Sequence, residues 1–79
     1  MRCFFDLAGA VSDLDNLGLE ADTIEEVRVA AARHIAEIIR DMPGLLWAGE
    51  GIRLEVADEN RTKLFTIVTS GADAAAIRG

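Results

Sequence analysis

One cysteine, one histidine and one proline in 79 residues leave little material for the commoner kinds of site chemistry. A single cysteine, Cys3, forms no internal disulfide, which excludes the stapled scaffold of a small secreted domain. It reads as a small strand residue rather than a reactive thiol. A lone His34 needs a nucleophile, a carboxylate or a metal to do catalysis. Cys3 and His34 meet only if the first strand runs under the middle of the helix, and a Cys3 buried there would be inert. Ser12 and Ser70 sit in no supporting motif, and there is no Gly-rich phosphate loop, zinc spacing or dinucleotide fingerprint. No catalytic residue, metal ligand or cofactor site is therefore expected.

Bases are also scarce. Eight Lys and Arg stand against fourteen Asp and Glu, a formal net charge of -6. Seven of the eight are arginines scattered along the chain, Arg2, Arg28, Arg33, Arg40, Arg53, Arg61 and Arg78, so no basic face for nucleic acid is expected. Long apolar runs are missing too. No stretch approaches the roughly 18 apolar residues of a membrane span. Asp6 interrupts the opening segment, which does not read as a secretory leader. A cytoplasmic protein is the expectation.

What is present is a small apolar domain, expected to span 1–79 as one unit. Hydrophobic residues make up 51% of the chain, too many for a disordered one. Thirteen of them are alanines, which bury little, so the core is thin. The larger apolar residues are still numerous for this length. They predict a shared surface, such as a homodimer, because association is one way for a small domain to complete its core. A tight monomer with some exposed Leu and Ile is the alternative.

Arg2–Ala8 alternates as a strand, with Cys3, Phe5 and Leu7 on one face and Arg2, Phe4 and Asp6 on the other. Phe4 on the polar side suggests a strand covered on both faces. Gly9 and Ala10 read as a turn, Val11–Asp15 as a weak return strand, and Asn16-Leu17-Gly18 as a second turn with Gly18 free to take positive φ. Thr23 is a good N-cap, with Glu26 at capping-box spacing. Ile24, Val27, Ala31, Ile35, Ile38 and Met42 then form one helical stripe, while Arg33 can pair with Glu37 across a turn on the far side. Pro43 and Gly44 end the helix. Leu45, Leu46 and Trp47 follow as an apolar loop that either closes the core or meets a partner. Ile52–Ala57 is an amphipathic strand, Asp58-Glu59-Asn60-Arg61 a hairpin turn with Asn60 suited to a left-handed conformation, and Lys63–Thr69 the next strand. Phe65 and Ile67 are expected to face the helix, leaving Leu64, Thr66 and Val68 outside. Ser70 with Asp73 suits the cap of a short terminal helical turn. The expected class is α+β, in two layers: one amphipathic helix packed on a mostly antiparallel sheet of three or four strands, in the order ββαββ.

Six carboxylates lie between Asp13 and Glu26: Asp13, Asp15, Glu20, Asp22, Glu25 and Glu26. Asp13, Asp15 and Gly18 match positions one, three and six of a calcium-binding loop, but Leu17 and Ile24 occupy positions five and twelve, so the closing ligand is missing. The stretch reads instead as a solvated turn leading to an acidic helix start. Asp6, in the middle of an apolar strand, is expected to pair with Arg2 or Arg53, because an isolated buried carboxylate is costly.

Several segments together resemble a known family. They are Arg2-Cys3-Phe4-Phe5-Asp6-Leu7, Asp15-Asn16-Leu17-Gly18-Leu19-Glu20, Glu25-Glu26-Val27-Arg28 with Ala36-Glu37, and Leu54-Glu55-Val56-Ala57-Asp58-Glu59 with Leu64-Phe65-Thr66-Ile67. The chain resembles short bacterial proteins that are grouped as a domain of unknown function and open with an Arg-x-Phe-Phe-Asp strand. The resemblance covers nearly the whole chain; it departs at Gly9-Ala10-Val11, where the first hairpin is shorter and less polar. It implies the fold and no catalytic residue. Asp22-Thr23-Ile24-Glu25-Glu26 after a strand pair is also similar to HicB-type antitoxins, without their Pro-rich segment before the helix or a DNA-binding element.

The expected function is that of a small non-enzymatic interaction module that self-associates, through Phe4, Leu45, Leu46, Trp47, Leu64 and Val68. The alternative is an antitoxin-like or regulatory protein that binds a basic partner through its acidic surface. Either way the expected partner is a protein or a second copy, not nucleic acid or a membrane.

Overall fold

The computed structural model describes residues 1–78. Its elements are β1 (Arg2–Gly9), β2 (Leu19–Glu20), α1 (Ile24–Asp41), β3 (Ile52–Ala57), β4 (Lys63–Thr69) and a short α2 (Ala75–Arg78), with a 3-10 turn over Pro43–Trp47. The strands form one antiparallel sheet in the order β2-β1-β3-β4. This is the expected α+β arrangement, with the helix between β2 and β3 in sequence.

Alternation decides the two faces of the sheet. Phe5 lies opposite Val56 and Leu7 opposite Leu54, which in turn lie opposite Phe65 and Ile67. These side chains, with Cys3 and Ile52, make the inner face, and α1 lays Val27, Ala31, Ile35 and Ile38 against it. Each fully buried Val or Ile contributes about 1.5–3 kcal/mol. Met42, at the end of the stripe, is exposed rather than buried, because the helix has ended one residue earlier. At the other end Thr23 caps α1 as the sequence predicts: its Oγ1 accepts from Glu26 N–H at 3.2 Å. The Glu26 carboxylate reaches back to the N–H of Asp22, one residue beyond the usual capping-box partner. Among the described residues Arg33 and Glu37 form no ion pair.

The return segment after β1 departs from the expected strand over Val11–Asp15. Only Asp13 pairs with β1, exchanging both backbone hydrogen bonds with Leu7. Regular pairing resumes at Leu19 and Glu20, opposite Cys3 and Arg2, in a register shifted by two residues. Between the two, the chain bulges away and the Asp15 carboxylate takes the place of a backbone carbonyl. One oxygen accepts from Phe5 N–H at 3.1 Å, and the other from the N–H groups of Leu17 and Gly18 at 3.0 Å. Gly18 takes φ +76, as the turn requires. Asp15 is thus a structural acceptor, which explains one of the six acids of this stretch.

The β3–β4 hairpin also differs in detail. Its left-handed residue is Arg61, φ +63, not Asn60. The Asp58 side chain holds the turn by accepting from the N–H groups of Asn60 and Thr62. A register shift between Val56 and Ala57 leaves Leu64 as the extra residue of a bulge at the start of β4. Leu45–Trp47, expected as a loop, forms the 3-10 turn, tied to the end of β4 by Gly71 N–H to the Leu46 carbonyl at 2.9 Å. Among the described residues no hydrogen bond from Ser70 or Asp73 caps the short α2.

A candidate interaction surface on the outer sheet

The outer face of the sheet carries charge in its centre and apolar side chains toward β4. Asp6 and Glu55 lie directly opposite each other on β1 and β3, an unfavourable pair of like charges unless each is served by a base. Glu55 takes Lys63 at 2.8 Å and Arg53 at 3.5 Å, and these two, Lys63 first, hold its carboxyl below the usual range. Arg2 lies beside Glu20 and donates to the Leu17 carbonyl. Both bases expected for Asp6 are therefore engaged elsewhere. Arg61, 55 residues away in the chain, supplies the partner, with its Nη1 2.9 Å from Asp6 Oδ2.

Arg61 does more than neutralise Asp6. Its Nη2 donates to the Asp15 carbonyl at 2.9 Å, and its guanidinium lies 4.1 Å over the Phe4 ring. Asp6 in turn accepts from Asp15 N–H at 2.9 Å. Desolvation pushes the Asp15 carboxyl up, but the N–H donors of Gly18, Phe5 and Leu17, together with Arg61, outweigh it and leave it below the usual aspartate range. One arginine therefore joins the β3–β4 turn, β1 and the return segment.

The six candidate interaction residues separate on this frame. Phe4 is half-buried beneath Arg61, so its own chain covers the ring. Leu45 is half-buried and packs against the core, and Leu46 is half-buried in the same turn. Trp47, Leu64 and Val68 are exposed, at 61%, 39% and 65%. Trp47 packs against Gly71, where a Cβ would sit 2.5 Å from the ring and force it to shift. Leu64, Thr66 and Val68 face outward along β4, whose far edge has no strand beside it among the described residues.

A second surface feature lies across the other flank of α1. A groove of about 380 Å³ is lined by Phe5, Gly18, Leu19, Ala30, Arg33, His34 and Glu37. His34 stacks on Phe5 there, with ring centroids 6.1 Å apart. Cys3 does not join it: the residue is fully buried, and burial pushes its thiol pKa up. Among the described residues no three His, Cys, Asp or Glu side chains come together as a metal cage, and no helix is long and apolar enough to cross a membrane.

Leu64, Val68 and Trp47, named in the sequence for their apolar surplus, are the candidates that stand exposed. The role of Arg61 is not legible there, since nothing local to a turn arginine marks a partner 55 positions earlier.

No curated protein and no solved structure matches the chain. The similarity to HicB-type antitoxins gains no support from these comparisons. A family model does match, over residues 2–70, from the Arg-x-Phe-Phe-Asp strand to just past β4. The chain belongs to the family described as domain of unknown function DUF6894.

Proposed function

We propose that this chain is a small cytoplasmic, non-enzymatic interaction module that self-associates. The observation that carries the reading is the apolar outer side of β4: Leu64 and Val68 stand exposed on a seven-residue strand with an open edge. Isolated surface leucines and valines are ordinary. Grouped on one uncovered edge strand, they form the kind of surface that natural proteins usually blunt or cover. The reading is tested by sedimentation equilibrium from micromolar to millimolar concentration. A reversible rise in mass to twice that of the chain is expected, and a strict monomer across the range overturns the reading.

A second reading rests on a different surface. Asp13, Glu20, Asp22, Glu25 and Glu26 are all exposed around the start of α1. This acidic patch suits a regulatory contact with a basic protein, whose binding would weaken as salt screens it. A basic partner whose capture is insensitive to salt would count against it.

A further inference from the structure

We propose that two copies of this chain pair through their β4 edges, antiparallel, about a two-fold axis at Thr66; the inference rests on the self-association proposed above and specifies its register. The argument begins with backbone direction. Ala10 N–H donates to the Gly51 carbonyl at 2.8 Å, which fixes the alternation along β3: Arg53, Glu55 and Ala57 bond to β1, and Ile52, Leu54 and Val56 bond to β4. On β4 the bonded partners are Thr69, Ile67 and Phe65. The N–H and C=O groups of Thr66 and Val68 therefore point away from the sheet, toward the open edge.

An isologous antiparallel pair must place residue i opposite j and j opposite i. With Thr66 on the axis, Thr66 faces the partner's Thr66 and Val68 faces the partner's Leu64, so the regular overlap runs over Leu64–Val68, up to the bulge that sets Lys63 out of step. Leu64, Thr66 and Val68 all lie on the outer face, so the exposed Leu64 and Val68 of each copy cover one another. Thr–Thr and aliphatic pairs are favourable across strands. Charge agrees. The strand holds no acid, and its one base, Lys63, lies beyond the bulge and is paired with Glu55, so a chain of net charge -6 meets its copy without like charges opposed. A slip of one residue sets Thr66 against the partner's Ile67, whose own N–H and C=O are already bonded to β3, and mismatches the faces. A slip that centres the axis on Phe65 or Ile67 shortens the overlap. The other edge, β2, has two residues and offers no comparable ladder. Two four-stranded sheets would then join into one, with both helices on the same side.

Two variants test the register. Thr66→Pro removes only an outward N–H, a position where an edge strand tolerates proline, so far-UV circular dichroism should match the parent while self-association weakens by at least about 100-fold. Thr66→Cys places two thiols opposite each other at about 5.5 Å between Cα atoms, within disulfide range. Mild oxidation should cross-link it to a covalent dimer, while Val68→Cys, whose counterpart lies about 13 Å further along the partner strand, should not cross-link. The buried native Cys3 does not interfere. A dimer that Thr66→Pro leaves intact and Thr66→Cys fails to cross-link overturns the β4 register alone and leaves self-association standing. A parent protein that stays monomeric at every concentration overturns both.

Discussion

Arg61 shows how one side chain can justify an unfavourable backbone. A non-glycine residue at φ +63 costs roughly 1–2 kcal/mol relative to a right-handed conformation. The chain carries that cost at an arginine because the geometry sends the guanidinium across β1 to Asp6, the Asp15 carbonyl and the Phe4 ring. Backbone and side chain can be separated by experiment. Arg61→Ala keeps the strained φ and loses the contacts, leaving Asp6 opposite Glu55 without its base; a loss of about 2 kcal/mol in chemical unfolding is expected. Arg61→Gly loses the same contacts but relieves the backbone, and should be more stable than the alanine variant by about 1 kcal/mol. Equal stability of the two, or an alanine variant as stable as the parent, would show that the arginine contacts contribute nothing.

At the scale of elements, the return segment between β1 and α1 is a strand that lost its ladder and replaced it with a carboxylate. Asp15 supplies to Phe5, Leu17 and Gly18 the acceptor that a paired strand would supply. Its carboxyl is held below the ordinary value of 3.8, so in the folded protein it stays ionised at a pH where the unfolded chain is already protonated. The stabilisation is fully present above the unfolded value and is lost as pH falls below about 4 through the folded value. Asp15→Asn should therefore be less stable than the parent at neutral pH, and its stability should fall less steeply below pH 4 in denaturant titrations. An identical acid limb in the two proteins would assign the acid sensitivity to other carboxylates. This segment is also where sequence reasoning stopped short. The alternation of β3 and β4 and the capped stripe of α1 are local patterns, and they mark Ile52–Ala57, Lys63–Thr69 and the Thr23 cap where the structure has them. The single bridge at Asp13, the shifted pairing at Leu19 and the partner of Asp6 depend on residues distant in the chain, and no local spacing encodes them. Of the candidate surface, Leu64 and Val68 were legible from β4 alternation, whereas the covering of Phe4 required the Arg61 backbone to turn left-handed, which no arginine advertises.

Across the whole molecule, burial and exposure are out of balance. Among the described residues the core holds seven side chains of Val size or larger, Leu7, Val27, Ile35, Ile38, Ile52, Leu54 and Val56, supplemented by Cys3 and three alanines. Ten large apolar side chains stand exposed. A domain of this length has only a small stability margin, so covering even part of that surface would add noticeably to it. Association of the folded state alone makes unfolding depend on mass action: dilution favours the unfolded chain because two molecules are released for each dimer that melts. For a domain of 60–100 residues that remains dimeric up to its transition, Tm should rise by about 3–5 °C for each tenfold increase in protein concentration. Thr66→Pro, which blocks the β4 edge while sparing the internal ladder, should unfold at a temperature independent of concentration and equal to the dilute limit of the parent. A parent Tm that does not move with concentration would mean that the apolar surplus is simply solvated and that the thin core sustains the fold by itself.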